Sequence, residues 1–431
     1  MRYYSLNRQS PAVSFREAVV QGQAPDGGLY FPESIPRLPE SFWQRIEDLD
    51  DAEIAWRIMA PYVGADFSET VLRRILEETL SFPLPVVPVT ERISVLELFH
   101  GPTLAFKDVG ARFMSRCLSH FARGLERRVV VLVATSGDTG GAVANSFFGV
   151  PGTEVVVLYP SGKVSAVQER QIAALGGNVH ALKVAGDFDA CQALVKKAFA
   201  DAELRSRVYL TSANSINVAR WLPQQLYYAL AWKQWPQKEA PPVVSVPSGN
   251  FGNIGAGLLL QRSGLPVPQF VAACNANDAV PRFLETGVLP RRASVATLSN
   301  AMDVADPSNF VRLLALFQND PAQLREVLAA TRTSDAETRA TIRRVAAETG
   351  YVLDPHTAVA WQGLEQVLAP GQHGLVLSTA HPVKFPEVVA EETGAPVPCP
   401  AIVEDLMKAS LQPRHLEAAY EPLRALLSEL A

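Results

Sequence analysis

The chain contains the segment Val129-Val-Val-Leu-Val-Ala-Thr-Ser-Gly-Asp-Thr-Gly-Gly141, in which a continuous apolar run ends in a glycine-rich turn. A second segment repeats this design, Val243-Val-Ser-Val-Pro-Ser-Gly-Asn-Phe-Gly-Asn253. Similar apolar runs occur at residues 155–158, 270–273 and 375–377. Continuous rather than alternating apolar runs are typical of strands that are buried on both faces. The pattern therefore predicts an α/β fold with a mostly parallel sheet and flanking helices.

The two glycine-rich turns are candidate anion sites. At a strand-to-helix junction the backbone N–H groups lack helical partners, and glycine lets an anion approach them closely. Glycine can also serve only to make a tight turn, but two such loops with hydroxyl or amide side chains favour ligand binding. Neither loop is a dinucleotide or P-loop fingerprint. In a third loop, residues 159–165, Lys163 either meets an anion or is simply solvated.

The length of 431 residues predicts two or three packed lobes. Residues 1–90 form an N-terminal segment with helical patterns at 52–60 and 70–80, which ends in a proline-rich, extended stretch. We expect a smaller α/β lobe over residues 91–210 and a larger α/β lobe over residues 211–431. Within the larger lobe, residues 290–350 lack clear strands and predict a helical insertion.

Charge and cysteine content narrow the functional class. The net charge of −5 offers no basic field for a nucleic-acid backbone. Cys117, Cys191, Cys274 and Cys399 lie far apart without a CxxC pair, which predicts neither a zinc cage nor a disulfide framework. The first ten residues are polar and no apolar run approaches the ~20 residues of a membrane span. We expect a cytoplasmic protein with no nucleic-acid or membrane partner and no metal.

Lys107 lies at a predicted helix entrance. It precedes Asp108, a plausible N-cap, and an apolar stripe that includes Val109, Phe113 and Cys117. Most lysines are solvated surface charges. In this small and apolar setting, however, an ammonium would lose hydration and release its proton more readily, as a Schiff-base amine requires.

The segment Pro102-Thr-Leu-Ala-Phe-Lys-Asp108 resembles the lysine motif of fold-type II pyridoxal-phosphate enzymes, and its extended form from His100 resembles that of the threonine synthase family. Residues 23–30 resemble the longer bacterial and fungal branch. The resemblance implies the tryptophan synthase β-like arrangement of two mostly parallel, twisted open sheets with flanking helices. Further matching motifs follow in the family's order: Ala134-Thr-Ser-Gly-Asp-Thr-Gly140, Ser212-Ala-Asn-Ser-Ile-Asn-Val-Ala-Arg220, Pro247-Ser-Gly-Asn-Phe-Gly-Asn253, Asp354-Pro-His-Thr-Ala358 and Leu377-Ser-Thr-Ala-His-Pro382.

The resemblance implies cofactor contacts. Lys107 would hold pyridoxal 5'-phosphate as a Schiff base and shuttle protons, and Thr379 would place a hydroxyl against the pyridine nitrogen. Asp138 falls where many related enzymes have an asparagine beside the pyridine hydroxyl. A carboxylate there would repel a phenolate oxygen unless one of them is protonated. The cofactor phosphate would be bound by Gly249, Asn250, Phe251, Gly252 and Asn253.

The resemblance also implies substrate contacts. Asn214 and Arg220 would take a substrate phosphate, for which the planar guanidinium is suited. Arg220 could instead form a surface ion pair, and His356 and His381 could be hydrogen-bonded structural histidines. The amino-acid carboxylate would be received by Thr135, Ser136 and Thr139.

The implied activity is the last step of threonine biosynthesis, in which O-phospho-L-homoserine and water give L-threonine and phosphate by γ-elimination and β-addition of water. Two alternatives stay open within this fold: a threonine dehydratase, or a threonine-synthase-like phospholyase that yields 2-oxobutanoate. A non-catalytic phosphometabolite-binding protein is an alternative of another class. We expect a monomer or a weak homo-oligomer.

Overall fold

The computed structural model describes residues 1–290 and 292–430. The described strands are β1 (Tyr3–Ser5), β2 (Tyr30–Pro32), β3 (Val86–Pro88), β4 (Ile93–Glu97), β5 (Val129–Ala134), β6 (Thr153–Pro160), β7 (Val179–Ala185), β8 (Tyr209–Ser212), β9 (Val243–Pro247), β10 (Gln269–Cys274), β11 (Leu328–Arg332), β12 (Gly374–Ser378) and β13 (Arg414–Glu417).

The described α-helices are α1 (Phe15–Gln21), α2 (Glu40–Gln44), α3 (Asp51–Val63), α4 (Glu69–Thr79), α5 (Lys107–Ala122), α6 (Asp138–Phe147), α7 (Ala166–Ala173), α8 (Phe188–Ala200), α9 (Ala202–Arg207), α10 (Val218–Trp221), α11 (Gln225–Gln234), α12 (Gly252–Arg262), α13 (Ala279–Thr286), α14 (Phe310–Leu316), α15 (Pro321–Val327), α16 (Asp335–Thr349), α17 (Pro355–Val367), α18 (Pro386–Thr393), α19 (Ala401–Lys408) and α20 (Tyr420–Glu429). Short 3-10 turns include Asn300–Met302 and Pro382–Lys384.

Two open sheets dominate the molecule, and they confirm the predicted α/β class. The larger sheet has the strand order β11-β10-β9-β12-β4-β3, and the smaller sheet has the order β13-β7-β6-β5-β8. Neighbouring strands run parallel except for β3, which is antiparallel to β4. Strand β5, which lies between β6 and β8, is fully buried along its length, as its continuous run of apolar residues predicts.

The strand order departs from the predicted division of the chain at both ends. β4 falls within residues 91–210 but pairs with β12 of the larger sheet, whereas β13 near the C-terminus pairs with β7 of the smaller sheet. A parallel strand needs only an open edge with matching register, so its position along the chain does not fix its sheet. The predicted helical insertion also contains a strand, because β11 adds to the edge of β10.

The helix that carries Lys107 begins two residues earlier than predicted. α5 starts at Lys107, Phe106 occupies the N-cap position, and Asp108 is therefore not the cap. Instead, the buried Asp108 carboxylate accepts a 2.9 Å hydrogen bond from the backbone N–H of Thr103 and a further bond from the Thr103 hydroxyl. Asp108 thus fixes the turn that leads into the helix.

The N-terminal segment confirms its two predicted helices as α3 and α4, which Asp50 and Ser68 cap with their side chains. The segment also packs against the rest of the chain. The carbonyl of Val19 accepts hydrogen bonds from Thr211 at 2.9 Å and from Asn217 at 3.0 Å. None of the described helices is long and apolar enough to cross a membrane.

The topology gathers four functional loops at one place. The two glycine-rich loops follow the carboxyl ends of β5 and β9, the lysine loop follows β4, and the loop of Thr379 follows β12. In open parallel sheets, ligands bind at the carboxyl ends of the strands. The carboxyl ends of these strands therefore place the four loops around one candidate site.

Candidate active site

A single cleft of about 2620 Å³ contains the predicted site. It exceeds the ~300–1,000 Å³ of an ordinary ligand pocket, so it has room for a cofactor together with a substrate. All the residues that the sequence assigned to cofactor or substrate line it: Lys107, Thr135, Ser136, Asp138, Thr139, Asn214, Arg220, Gly249, Asn250, Phe251, Gly252, Asn253 and Thr379.

Backbone hydrogen bonds hold the Lys107 loop against the end of β12. Phe106 donates its N–H to the Thr379 carbonyl at 2.9 Å, and His381 donates its N–H to the Leu104 carbonyl at 3.1 Å. The Tyr227 hydroxyl donates to the Phe106 carbonyl from the opposite side. Lys107 is consequently presented to the cleft by a rigid support, with its amine 5.2 Å from the centre of the Phe106 ring.

The electrostatic setting of Lys107 agrees with the role predicted for it. Loss of hydration lowers the pKa of Lys107 below its ordinary value, Asp138 opposes this effect, and Lys384 and Arg220 reinforce it. An amine with a lowered pKa is more readily available as the neutral nucleophile that forms a Schiff base.

The loop Gly249 to Asn253 forms an anion cradle at the start of α12. Its backbone N–H groups donate to no other described residue. A side chain at Gly249 would place its Cβ 2.6 Å from Cα of Met302, so only glycine fits there. Phe251 adopts the left-handed conformation with φ of 59°, which turns the chain sharply into the helix. These features together leave N–H groups available to an anion such as a phosphate.

Asn253 supplies an additional donor to this cradle. Its side-chain oxygen accepts a 2.7 Å hydrogen bond from Tyr228, whereas its buried side-chain N–H group has no partner among the described residues. A buried donor without a partner costs free energy, so it is typically completed by a ligand or water.

Asp138 is held by two residues that the sequence did not identify. Lys384 lies 2.6 Å from the Asp138 carboxylate, and Gln168 donates a 3.0 Å hydrogen bond to the same oxygen. Burial by itself would raise the pKa of Asp138, but Lys384 and Lys107 outweigh it and hold the pKa well below the ordinary value. Asp138 is therefore a carboxylate whose charge Lys384 compensates.

The loop after β5 uses its hydroxyls in two ways. The Thr135 hydroxyl accepts 2.9 Å hydrogen bonds from the N–H groups of Gly137 and Gly140, so it shapes the loop. Ser136 and Thr139 are only partly buried and their hydroxyls bond to no described residue. These two hydroxyls are the free polar groups that this loop offers to a ligand.

Arg220 is a buried cation rather than a surface ion pair. It is 4% exposed, no described carboxylate pairs with it, and burial lowers its pKa to about 10. One terminal nitrogen donates to the Ala213 carbonyl, and its Nε has no partner among residues 1–290 and 292–430. A Cβ at Gly110 of α5 would lie 2.9 Å from the Arg220 carbonyl, so glycine permits this close packing. Asn214, nearby in the same loop, bonds the carbonyl of Ala134 at 3.4 Å.

Arg312 also supports the site, and no sequence signal distinguished it from a surface arginine. It is fully buried and donates hydrogen bonds to the carbonyls of Ser215 at 3.0 Å, Ile216 at 2.7 Å and Tyr30 at 3.1 Å. It thereby ties α14 and the N-terminal segment to the loop that leads to Arg220.

His356, His381 and Lys163 differ in their position relative to the cleft. Both ring nitrogens of His356 are engaged, with the Asp354 carboxylate at 2.9 Å and the Ala301 N–H at 3.2 Å, which favours a structural role although it lines the cleft. His381 does not line the cleft and caps the turn Pro382–Lys384. Lys163 lies exposed at the cleft margin.

These residues fit pyridoxal phosphate. The cleft offers a partly dehydrated amine at Lys107, an anion cradle with an unpartnered donor at Asn253, and the Thr379 hydroxyl, which bonds to no described residue. Among the described residues, no cluster of three or more His, Cys, Asp or Glu could hold a metal ion.

Comparison with known families agrees with this interpretation. Residues 89–378 match the model of the pyridoxal-phosphate dependent enzyme family, residues 2–80 match the threonine synthase N terminus, and residues 357–426 match the threonine synthase C-terminal family. The threonine synthase of Serratia marcescens is 46% identical over 431 residues and covers 100% of both chains.

Solved structures show the same likeness. The crystal structure of threonine synthase from Escherichia coli superposes with a TM-score of 0.94 at 44% identity, covering 100% of each chain. The structure of PLP-bound threonine synthase from Brucella melitensis gives a TM-score of 0.94 at 34% identity and covers 100% of this chain and 99% of that one.

Proposed function

The chain belongs to the threonine synthase family of pyridoxal-phosphate-dependent enzymes, and we propose that it converts O-phospho-L-homoserine and water to L-threonine and phosphate with the residues of the cleft. It is a lyase of amino-acid biosynthesis. The observation that carries the residue assignment is the shared cleft, in which Lys107, the phosphate cradle and Arg220 lie together.

Lys107 is the residue that we assign to proton transfer. When bound, pyridoxal phosphate supplies an electron sink for the negative charge that develops at the substrate Cα. Lys107 would hold the cofactor covalently, and its amine, when free, would remove the Cα proton as a general base. The lowered pKa of Lys107 favours the neutral amine that both tasks need.

The other residues of the cleft bind and orient the cofactor and the substrate. Gly249 to Asn253 would hold the cofactor phosphate through N–H groups, and Thr379 would place its hydroxyl against the pyridine nitrogen. Ser136 and Thr139 receive the substrate carboxylate with the help of Thr135, which shapes their loop.

Asn214 and Arg220 bind the substrate phosphate and stabilise it as it leaves Cγ. A proton is lost from Cβ before this departure, a proton returns to Cγ, and the oxygen of water adds at Cβ. Return of a proton to Cα completes threonine. Removal of one such anion-stabilising donor costs other enzymes about 3–4 kcal/mol of transition-state stabilisation.

The test supplies O-phosphohomoserine and measures phosphate, threonine and 2-oxobutanoate together with the near-visible absorbance of the cofactor. We expect phosphate and threonine in equal amounts. 2-Oxobutanoate and phosphate without threonine would identify a phospholyase. Formation of 2-oxobutanoate from added threonine, without phosphate release from O-phosphohomoserine, would identify a dehydratase. Ligand binding with neither reaction would identify a non-catalytic binding protein.

Lys107→Ala tests whether the lysine is required for cofactor binding and for phosphate release. We expect loss of the near-visible absorbance and of phosphate release. Lys408→Ala is the matched control, because Lys408 is exposed and, among the described residues, pairs only with Asp405 on its own helix. Normal turnover by Lys107→Ala would refute the assignment.

The compartment and the assembly state stay predictions. All four cysteines are free, and three of them are buried, which fits the reducing cytoplasm that we expect. A monomeric or weakly associating state is our expectation, and sedimentation at several protein concentrations would test it.

A further inference from the structure

Lys384 is a second lysine close to the cofactor lysine, and it lies outside the cleft lining. It is fully buried in the turn Pro382–Lys384. Its ammonium forms a 2.6 Å ion pair with Asp138 and donates a 2.8 Å hydrogen bond to the Thr103 carbonyl. A buried ammonium is tolerated only when such partners replace its lost hydration.

The Asp138 carboxylate interacts electrostatically with both Lys107 and Lys384. It lines the cleft as the first residue of α6, while Lys384 contacts it from the protein interior. Gln168 donates to the same carboxylate oxygen at 3.0 Å, so the carboxylate is fixed from two directions. Without Lys384 the cleft would hold an uncompensated carboxylate near Lys107.

Other charged groups around Lys107 do not replace Lys384. Arg220 acts on Lys107 in the same direction as Lys384, and Asp138 acts in the opposite direction. Asp108 is engaged by Thr103 and also faces Lys384 and Arg220, and Tyr227 faces Arg220 and Asp108. Of these groups, only Lys384 forms an ion pair with Asp138.

We propose that Lys384 is a positioning residue that fixes Asp138 as a carboxylate and cancels its charge, so that the amine of Lys107 can lose its proton at neutral pH. This inference rests on the proposed cofactor role of Lys107. It accounts for a carboxylate at a position where many related enzymes have an asparagine, because the Asp138–Lys384 pair presents no net charge to the cleft.

The test compares the cofactor-loaded wild type with Lys384→Met, Asp138→Asn and the double variant, by titrating the near-visible absorbance from about pH 5.5 to 10.5. Lys384→Met leaves the carboxylate uncompensated and moves the titration of the cofactor-bound lysine upward, by about one pH unit or more. Asp138→Asn leaves the Lys384 ammonium uncompensated and moves the titration downward. The double variant removes both charges and returns to near the wild-type titration.

Lys183→Met is the matched control, because Lys183 forms a 2.8 Å ion pair with Glu169 that does not line the cleft. We expect its titration to equal that of the wild type. If Lys384→Met does not fold, Asp138→Asn and the double variant still decide: a downward shift that the second substitution reverses supports the proposal.

Shifts of both single variants in the same direction, a double variant that stays displaced, or identical titrations of all proteins would each overturn the proposal. Failure of the proposed function gives a different result. In that case the wild type itself would show no near-visible absorbance or would release no phosphate.

Discussion

The side chain of Asn250 donates a 2.8 Å hydrogen bond to the hydroxyl of Ser215 and so joins the loop proposed for the cofactor phosphate to the loop proposed for the substrate phosphate. Asn309 donates to the same hydroxyl at 2.9 Å and to the Asn250 carbonyl at 3.1 Å. Arg312 accounts for the position of Asn309, because it donates to the Asn309 side chain at 2.7 Å. The positions of the two phosphate loops are therefore interdependent.

Removal of the Ser215 hydroxyl tests this interdependence. Ser215→Ala leaves the side-chain amides of Asn250 and Asn309 without their common acceptor, which costs about 1–3 kcal/mol of unfolding free energy. We expect weaker cofactor retention together with a higher KM for O-phosphohomoserine, measured by cofactor absorbance after dialysis and by phosphate release. Ser206→Ala is the control, because the one partner of the exposed Ser206 hydroxyl in the described part of the chain is a carbonyl of its own helix. A change in KM with unaltered cofactor retention would show that the loops act separately.

The sequence predicted the strands and the site more completely than it predicted the supporting contacts. Strand β5 and its loop are recognisable from a continuous apolar run and adjacent glycines, which are local signals. Lys384 carries no such signal, since its burial depends on a turn far along the chain that packs beside Asp138. Its pairing with Asp138 would remove the repulsion between a carboxylate and the cofactor hydroxyl that the sequence predicted at this position.

The sheet assignments failed for a similar reason. β13 is a short strand, Arg414–Glu417, in which only Leu416 is buried, so its hydrophobic periodicity is too weak to predict a strand. β4 lies in a segment for which the sequence predicted no separate strand, and its partner β12 lies near the other end of the chain. Register with a distant strand is a tertiary property that local patterns do not contain.

Arg220 provides a test of phosphate recognition. Arg220→Met should raise KM and reduce kcat/KM by at least about 30-fold, because loss of a buried charged partner of a ligand costs about 2 kcal/mol or more. Arg220→Lys should recover part of the activity, since it restores the charge but not the planar fork. Arg92→Met is the matched control, because Arg92 also donates to carbonyls but lies outside the cleft. Unchanged kinetics of Arg220→Met would remove Arg220 from the site.

Gly249 provides a steric test of the cofactor cradle. The methyl group of Gly249→Ala would meet Cα of Met302 at 2.6 Å, so the backbone has to move. Overpacking of this kind costs about 1–3 kcal/mol, and here the displaced loop is the one that holds the phosphate. We expect cofactor affinity to fall about tenfold or more in an equilibrium titration. Gly64→Ala should leave affinity intact, because its nearest neighbour would lie 3.8 Å away.

His381 links pH to the turn that carries Lys384. Its Nδ1 accepts a 3.1 Å hydrogen bond from the N–H of Val383, and this cap is lost when the ring is protonated there. Burial and the nearby His100 lower the pKa of His381 below its ordinary value, although Asp354 and Glu97 oppose them. The unfolded chain therefore takes up this proton more readily than the folded protein. The stabilisation is complete above about pH 6.5 and is lost as the pH falls from there through the folded pKa.

His381→Asn keeps an acceptor at the cap but does not titrate, so it should flatten this part of the pH dependence. Between pH 7.5 and 5.5, we expect the wild type to lose more unfolding free energy in urea than His381→Asn, by about 0.5–1 kcal/mol. His415→Asn is the control, because His415 is exposed, and it should follow the wild type. Equal losses in the wild type and His381→Asn would show that the cap does not couple protonation to folding.

A parallel measurement of the cofactor absorbance tests whether Lys384 stays paired with Asp138 when the cap is lost. If the turn is released, the absorbance should show the same titration shift as Lys384→Met.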